Sequence, residues 1–202
     1  MGPARRRAAP AWHRAPRQID PGRVWLRRSQ ASNEAEDYDG RMYLDALSFL
    51  EDERDAFRAY EALDALTDQQ LDIPVAAAGG WSGRDLMGHM ILWQEAALAT
   101  AKELALGERS ATMDRLEAQW ASAPGAGDLM NEEGLARFRA MAIGEVRGLF
   151  RSVSGELRGY LTVVPEARWI KHSTHQEYFF GETTEHYEDH QKELRAILEA
   201  VA

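Results

Sequence analysis

Cysteine is absent from all 202 residues. The chain therefore has no disulfide, no thiolate metal ligand and no cysteine nucleophile, and any thiol in its chemistry must arrive with a substrate. A cysteine-free chain fits a cytoplasmic protein. Long apolar runs are missing too. None approaches the ~20 residues needed to span a bilayer, so a soluble globular protein with no membrane partner is expected. Positive charge is in short supply, with 24 Lys and Arg against 33 Asp and Glu and a net charge of -9. An acidic surface excludes the basic face that a nucleic-acid partner would require. No strand-like alternation and no internal repeat is present. The arginines near the amino terminus are followed by no apolar segment, so a secretory or twin-arginine signal is not expected.

The scarce positive charge is concentrated at one end. Residues 1–30 hold eight Arg and one Asp, and subtracting this +7 from -9 leaves -16 for the remainder. The arginines are interleaved with Pro3, Pro10, Pro16 and Pro21. Residues 1–41 are expected to be a basic, disordered extension, lying upstream of a start at Met42. A basic arm for an acidic partner is the other reading. Residues 42–202 are then the globular domain, long enough to bury a sizeable core.

Within that domain the apolar spacing is helical. Leu44, Leu47, Leu50, Phe57, Tyr60 and Leu63 predict a first helix over about 43–66, with its Asp and Glu residues on a solvated face. Pro74 and Gly79-Gly80 break the chain. A second helix opens at Ser82 as N-cap, with Asp85 at N3 and Trp81 placed to staple onto Leu86, and runs to about Leu106. Residues 107–130 form a long connection containing Pro124-Gly125-Ala126-Gly127, of the length expected for a crossover. Asn131 is the predicted cap of a third helix ending at Pro165, with Met130 stapling onto Leu135. Gly144, Gly148, Gly155 and Gly159 within it either allow close packing or are tolerated at a cost in propensity. Residues 165–180 read as a second irregular stretch, and a last helix starts near Gly181–Thr184. The prediction is an all-α four-helix bundle with long connections at about 107–130 and 165–180.

Three histidines fall in register with the apolar stripes. His89 lies in Leu86, His89, Trp93, Ala97, Leu104, while His186 and His190 lie in Thr183, His186/Tyr187, His190, Leu194, Ile197, Val201. His186 and His190 are one turn apart on the same side. Three imidazoles aimed into one bundle interior form a candidate divalent-metal site with an open position. The alternative is ordinary hydrogen-bonded core histidines. Glu188 does not follow His186 directly and points about 200° away around the helix, which excludes a zincin-type mechanism. Trp93 and Tyr187 read as core residues that could also wall a pocket. His172 and His175 read as exposed loop histidines, with a pocket rim as the other option.

The segment Trp81-Ser82-Gly83-Arg84-Asp85-Leu86-Met87-Gly88-His89, with Trp93 and the later His186-Tyr187-Glu188-Asp189-His190, resembles the DinB-like superfamily and most of all its ClbS/DfsB branch. The resemblance covers about residues 42–200. It implies up-down-down-up topology and Zn or Ni held by His89, His186 and His190. Relatives include bacillithiol and mycothiol S-transferases, a mycothiol-dependent maleylpyruvate isomerase, and hydrolases that open the cyclopropane of a genotoxin. ClbS-branch members need not use a metal. The resemblance thus implies a metal-dependent thiol transferase or hydrolase acting on a small electrophilic metabolite or toxin, in detoxification or self-protection. A low-molecular-weight thiol would be its cosubstrate in the first case, with Lys171 and His172 as candidate cationic anchors. A metal-free protein that binds or sequesters a metabolite is the competing reading, and a homodimer built on the first and last helices is a further expectation.

Overall fold

The computed structural model describes residues 43–202, and every regular element among them is helical. The expectation for residues 1–41 lies outside the described residues. None of the described helices is long and apolar enough to cross a membrane. Four rods form the bundle. Rod 1 is α1 (Ala46–Phe57) continued by a tighter 3-10 run, Arg58–Ala65, and is followed by the short α2 (Asp68–Leu71). Rod 2 is α3 (Gly83–Leu106). A helical hairpin, α4 (Ala111–Trp120) and α5 (Ala126–Ala140), crosses over to rod 3, α6 (Ile143–Leu161). Rod 4 is α7 (Ser173–Phe180), a π turn at Gly181–Glu185, α8 (His186–Asp189) and α9 (Gln191–Val201).

Polar ties give the direction of each rod. Arg84 Nη1, at the start of rod 2, donates to Met141 O just before rod 3 at 3.2 Å. Lys102 near the end of rod 2 pairs with Glu156 near the end of rod 3, at 3.8 Å. Rods 2 and 3 therefore run parallel. Rods 1 and 4 are parallel as well, with Gln176 Nε2 donating to Tyr43 O at 2.8 Å and Gln70 Nε2 to Val201 O at 2.7 Å. Arg158 meets Glu53 while Arg151 meets Asp64, which makes rods 1 and 3 antiparallel. This is the up-down-down-up arrangement.

The core is filled by Phe49, Phe57, Tyr60, Leu86, Met90, Phe150, Leu157, Phe179 and Tyr187, each buried. Full burial of one such apolar side chain stabilises by about 1.5–3 kcal/mol. The opposite face of rod 3 carries Gly144, Gly148, Gly155 and Gly159, where an added Cβ would meet nothing within 4 Å. These glycines do not serve close packing.

Four boundaries differ from the sequence reading. Rod 1 tightens into a 3-10 run after Phe57. Its end is held by the Arg147 guanidinium, which donates to the Asp64 and Leu66 carbonyls. The 107–130 connection is largely helical. The expected third helix is two helices, α5 and α6, parted at Met141 and Ala142, both extended with ψ 153° and 139°. The break is stabilised from both sides. Arg84 takes the released Arg139 and Met141 carbonyls, and Glu145 accepts from the Ala142 N–H at 3.2 Å. Finally, rod 4 starts at Ser173, so Gly181 lies inside a helix and not before one.

Candidate metal centre

Rod 2 begins as the sequence indicates. The Ser82 hydroxyl accepts from the Asp85 N–H at 3.1 Å, and the Asp85 carboxylate accepts from the Ser82 N–H at 3.0 Å. Together they satisfy orphan donors of the first turn. Just before this cap, Gly79 (φ 69°) and Gly80 (φ 93°) take left-handed conformations that a residue with a Cβ rarely adopts. The turn they make delivers Trp81. Its ring packs against the core and also lies 4.8 Å from the His89 ring and stacks on His190 at 5.4 Å.

His89, about two turns into rod 2, meets His186 and His190 on rod 4. Their ring centroids are 4.6 to 4.8 Å apart. His89 Nε2 is 3.0 Å from His190 Nε2, and one ligand atom from each ring lies within 4.8 Å of the others. Three nitrogens bound tetrahedrally to one Zn would sit about 3.3 Å apart at the usual bond length. The His89–His190 pair is already near that spacing, with a His186 nitrogen within 4.8 Å of both.

Protonation states favour the same reading. Burial holds His89 and His186 well below the usual imidazole range, and the neighbouring histidines push the same way. Both rings are therefore neutral at pH 7, with lone pairs available. His186 Nε2 is buried with no hydrogen-bond partner, as is Nδ1 of His89, the nitrogen other than the one that meets His190. Buried polar atoms left in that condition are costly, and a cation bound among the rings would relieve part of that cost. Glu193 Oε2 lies 3.5 Å from His190 Nδ1, on the far side of the ring from the triad. Its contact with His190 holds the Glu193 carboxyl below the ordinary range. At this distance neither atom is hydrogen-bonded; closing the gap would set a carboxylate behind a ligating imidazole, the arrangement that fixes ring orientation and raises basicity.

The wall next to the triad comes partly from the crossover. Trp93, 6.3 Å from the His186 ring, donates its indole N–H to Asn131 Oδ1 at 3.0 Å. Asn131 is thus a buried partner inside α5 and not the cap expected of it. Trp120 meets Trp93 edge to face at 5.8 Å. Gly127 lies so close beneath Trp120 that a Cβ would come within 2.6 Å of the ring.

Rod 4 adds an acid that the sequence reading passed over. Glu182 sits in the π turn, one turn before His186 and one after Tyr178. Both neighbours face rod 2, through His89 and through a 3.3 Å contact of Tyr178 with Thr100. Desolvation pushes the Glu182 carboxyl up to about 8, so it keeps its proton at neutral pH. π turns inside α-helices are frequent at functional sites.

The remaining candidates lie elsewhere. Tyr187 is fully buried in the core, packed on Phe57 and Tyr60 rather than on the histidine rings. His172 is exposed, caps α7 and stacks on His175 at 3.9 Å. His175, expected to be exposed, is buried and its Nδ1–H donates to Arg168 O at 2.5 Å. His172 is 18 residues before His190 on rod 4, or about 27 Å along a helix. Lys171 is at the same far end, paired with Glu166 at 2.6 Å.

A family model for the DinB superfamily matches residues 50–199. The chain belongs to the DinB superfamily. No curated protein and no solved structure matches it. The matched span runs from rod 1 into α9 and includes the whole histidine triad of this DinB protein.

Proposed function

We propose that this DinB protein is a cytoplasmic metal-dependent enzyme of the ClbS/DfsB kind that acts on a small, largely apolar electrophile as a detoxifying hydrolase. The observation that carries this reading is the convergence of three imidazoles, His89 buried and His186 and His190 half-buried, with His89 Nε2 and His190 Nε2 3.0 Å apart. His89, His186 and His190 would hold a divalent ion, Zn or Ni, as three neutral ligands. Bound there, the ion would supply Lewis acidity at an open position, lowering the pKa of a water or thiol toward neutrality. Glu193 would keep the His190 ring oriented. Trp81, Trp93 and Trp120 would exclude bulk water and flank an apolar substrate. Water is favoured over a thiol cosubstrate for one reason. The cationic anchors expected for a thiol's carboxylates, Lys171 and His172, lie at the other end of the bundle. Arg84 and Arg139, at the start of rod 2 and the end of α5, are already paired with Asp72 and with Asp85 and Glu132.

The test is the metal content of tag-free protein by mass spectrometry, wild type beside His89→Ala and the double variant His186→Ala/His190→Ala. Near-stoichiometric Zn or Ni in the wild type and none in either variant supports the reading. No metal in the wild type, even after loading, overturns it and leaves metabolite sequestration as the function to pursue.

A further inference from the structure

Glu53 was expected on the solvated face of the first helix, yet it is fully buried. All four rods meet around its carboxylate. Oε2 accepts from Arg158 Nε of rod 3, and Oε1 accepts from the Tyr187 hydroxyl of rod 4 at 3.0 Å. That hydroxyl in turn accepts from Gln94 Nε2 of rod 2 at 2.9 Å. Tyr60 of rod 1 donates its own hydroxyl to the Tyr187 carbonyl at 2.6 Å. Tyr187 is therefore held by side chain and backbone together.

Stability alone is a poor reason for this network. Desolvation pushes the Glu53 carboxyl up against the opposing pull of Arg158. Buried ion pairs can often be replaced by apolar groups of similar volume at no loss, and their best-attested role is to set register. Register is what this stretch of rod 4 needs. A π turn ends at Glu185, and α8 spans only His186–Asp189 before the helix is interrupted at His190 (φ -97°, ψ 7°). The stretch from His186 to His190 is thus a single turn between two irregularities, tied to itself and to α9 by a long His190 N–H to His186 carbonyl bond of 3.3 Å and by Leu194 N–H donating to the His190 carbonyl at 3.0 Å. Tyr187, between the two histidines, is the residue the network grips. Gln94, its partner on rod 2, is the neighbour of Trp93.

We infer that Glu53, acting through Tyr187, is a positioning residue that aims His186 and His190 at His89. Its consequence for metal binding rests on the function proposed above, whereas the ring geometry does not. The variants are Glu53→Gln, which leaves Arg158 or Tyr187 facing an amide donor, and Tyr187→Phe, which removes one hydroxyl and keeps the ring. Leu161→Ala, one turn beyond Arg158 in rod 3 and without a polar side chain, serves as a destabilised control that leaves every hydrogen bond of the network in place. In metal-free protein, the imidazole ring resonances of His186 and His190 are read by nitrogen NMR. Both variants are expected to shift them while those of His172 stay in place, and Leu161→Ala to leave all of them unchanged. In a cobalt(II) titration against a chelator, affinity is expected to fall about tenfold or more, with an altered visible spectrum. Ring resonances that match the wild type in both variants would overturn the inference, whatever happens to stability. A wild type that binds no cobalt would overturn the metal reading alone, and the resonances would still decide the role of Glu53.

Discussion

The protonated Glu182 in the π turn yields the sharpest quantitative prediction. Its carboxyl is raised from 4.5 to about 8 by desolvation, with no compensating charge. Between these two values the folded protein binds one more proton than the unfolded chain, so stability falls as pH rises through that window. At about 1.4 kcal/mol per pH unit, the full gap corresponds to about 5 kcal/mol. Glu182 is only partly buried by surface area, and screening by water entering the cleft reduces this to about 2–4 kcal/mol. Glu182→Gln keeps the volume and removes the ionisation. The variant is expected to match wild type near pH 4.5 and to be more stable by about 2–4 kcal/mol near pH 8.5. Urea denaturation of both proteins across that range measures the difference directly. A difference that stays flat with pH, or that favours the wild type in alkali, would show that the carboxyl ionises normally and refute the reasoning.

Metal-free protein should lose stability as pH drops below 6.5, because His89 and His186, held below that value when folded, take up protons more readily when unfolded. The loss is about 1.4 kcal/mol per histidine at one pH unit below 6.5, with His175 adding in the same direction. Denaturation at pH 7.5 and 5.5 checks it. Gly148→Ala and Gly155→Ala, on the open face of rod 3, should each stabilise by about 0.5–1 kcal/mol, raising the thermal midpoint. Gly88→Ala should do the opposite by about 1–3 kcal/mol, since its Cβ would lie 2.8 Å from the Phe138 Cβ.

The histidine triad was legible because its evidence is local. An i, i+4 pair in an apolar stripe, and a single histidine behind an unmistakable Ser82–Asp85 cap, need no knowledge of distant partners. The parts that were not legible depend on contacts far away in the chain. Glu53 looks like any acidic residue on an exposed face until Arg158 and Tyr187, over a hundred positions on, are brought against it. The apolar stripe of Phe138, Ala142 and Val146 continues without interruption, so nothing in it marks the break at Met141. The break exists because Arg84 from another rod takes the freed carbonyls. Asn131 reads as a cap from its type and the Met130–Leu135 staple spacing, but its hydrogen bond comes from Trp93 on another rod. The sequence places the start of the last helix near Gly181–Thr184, whereas Gly181 begins a wider turn within a helix that is already under way.

That wider turn bears on how the chain compares with its relatives. A π turn is one residue longer than the α turn it replaces, so rod 4 absorbs an extra position without unravelling. Its two halves, the one packed beside Tyr43 and the one bearing His186 and His190, need not keep a constant separation in sequence among related chains. An alignment that forbids gaps inside helices would slip one half by a residue, and every side chain there by about 100°. Allowing a single-residue gap within Gly181–Glu185 keeps both the buried Gln176 and the histidine pair in register.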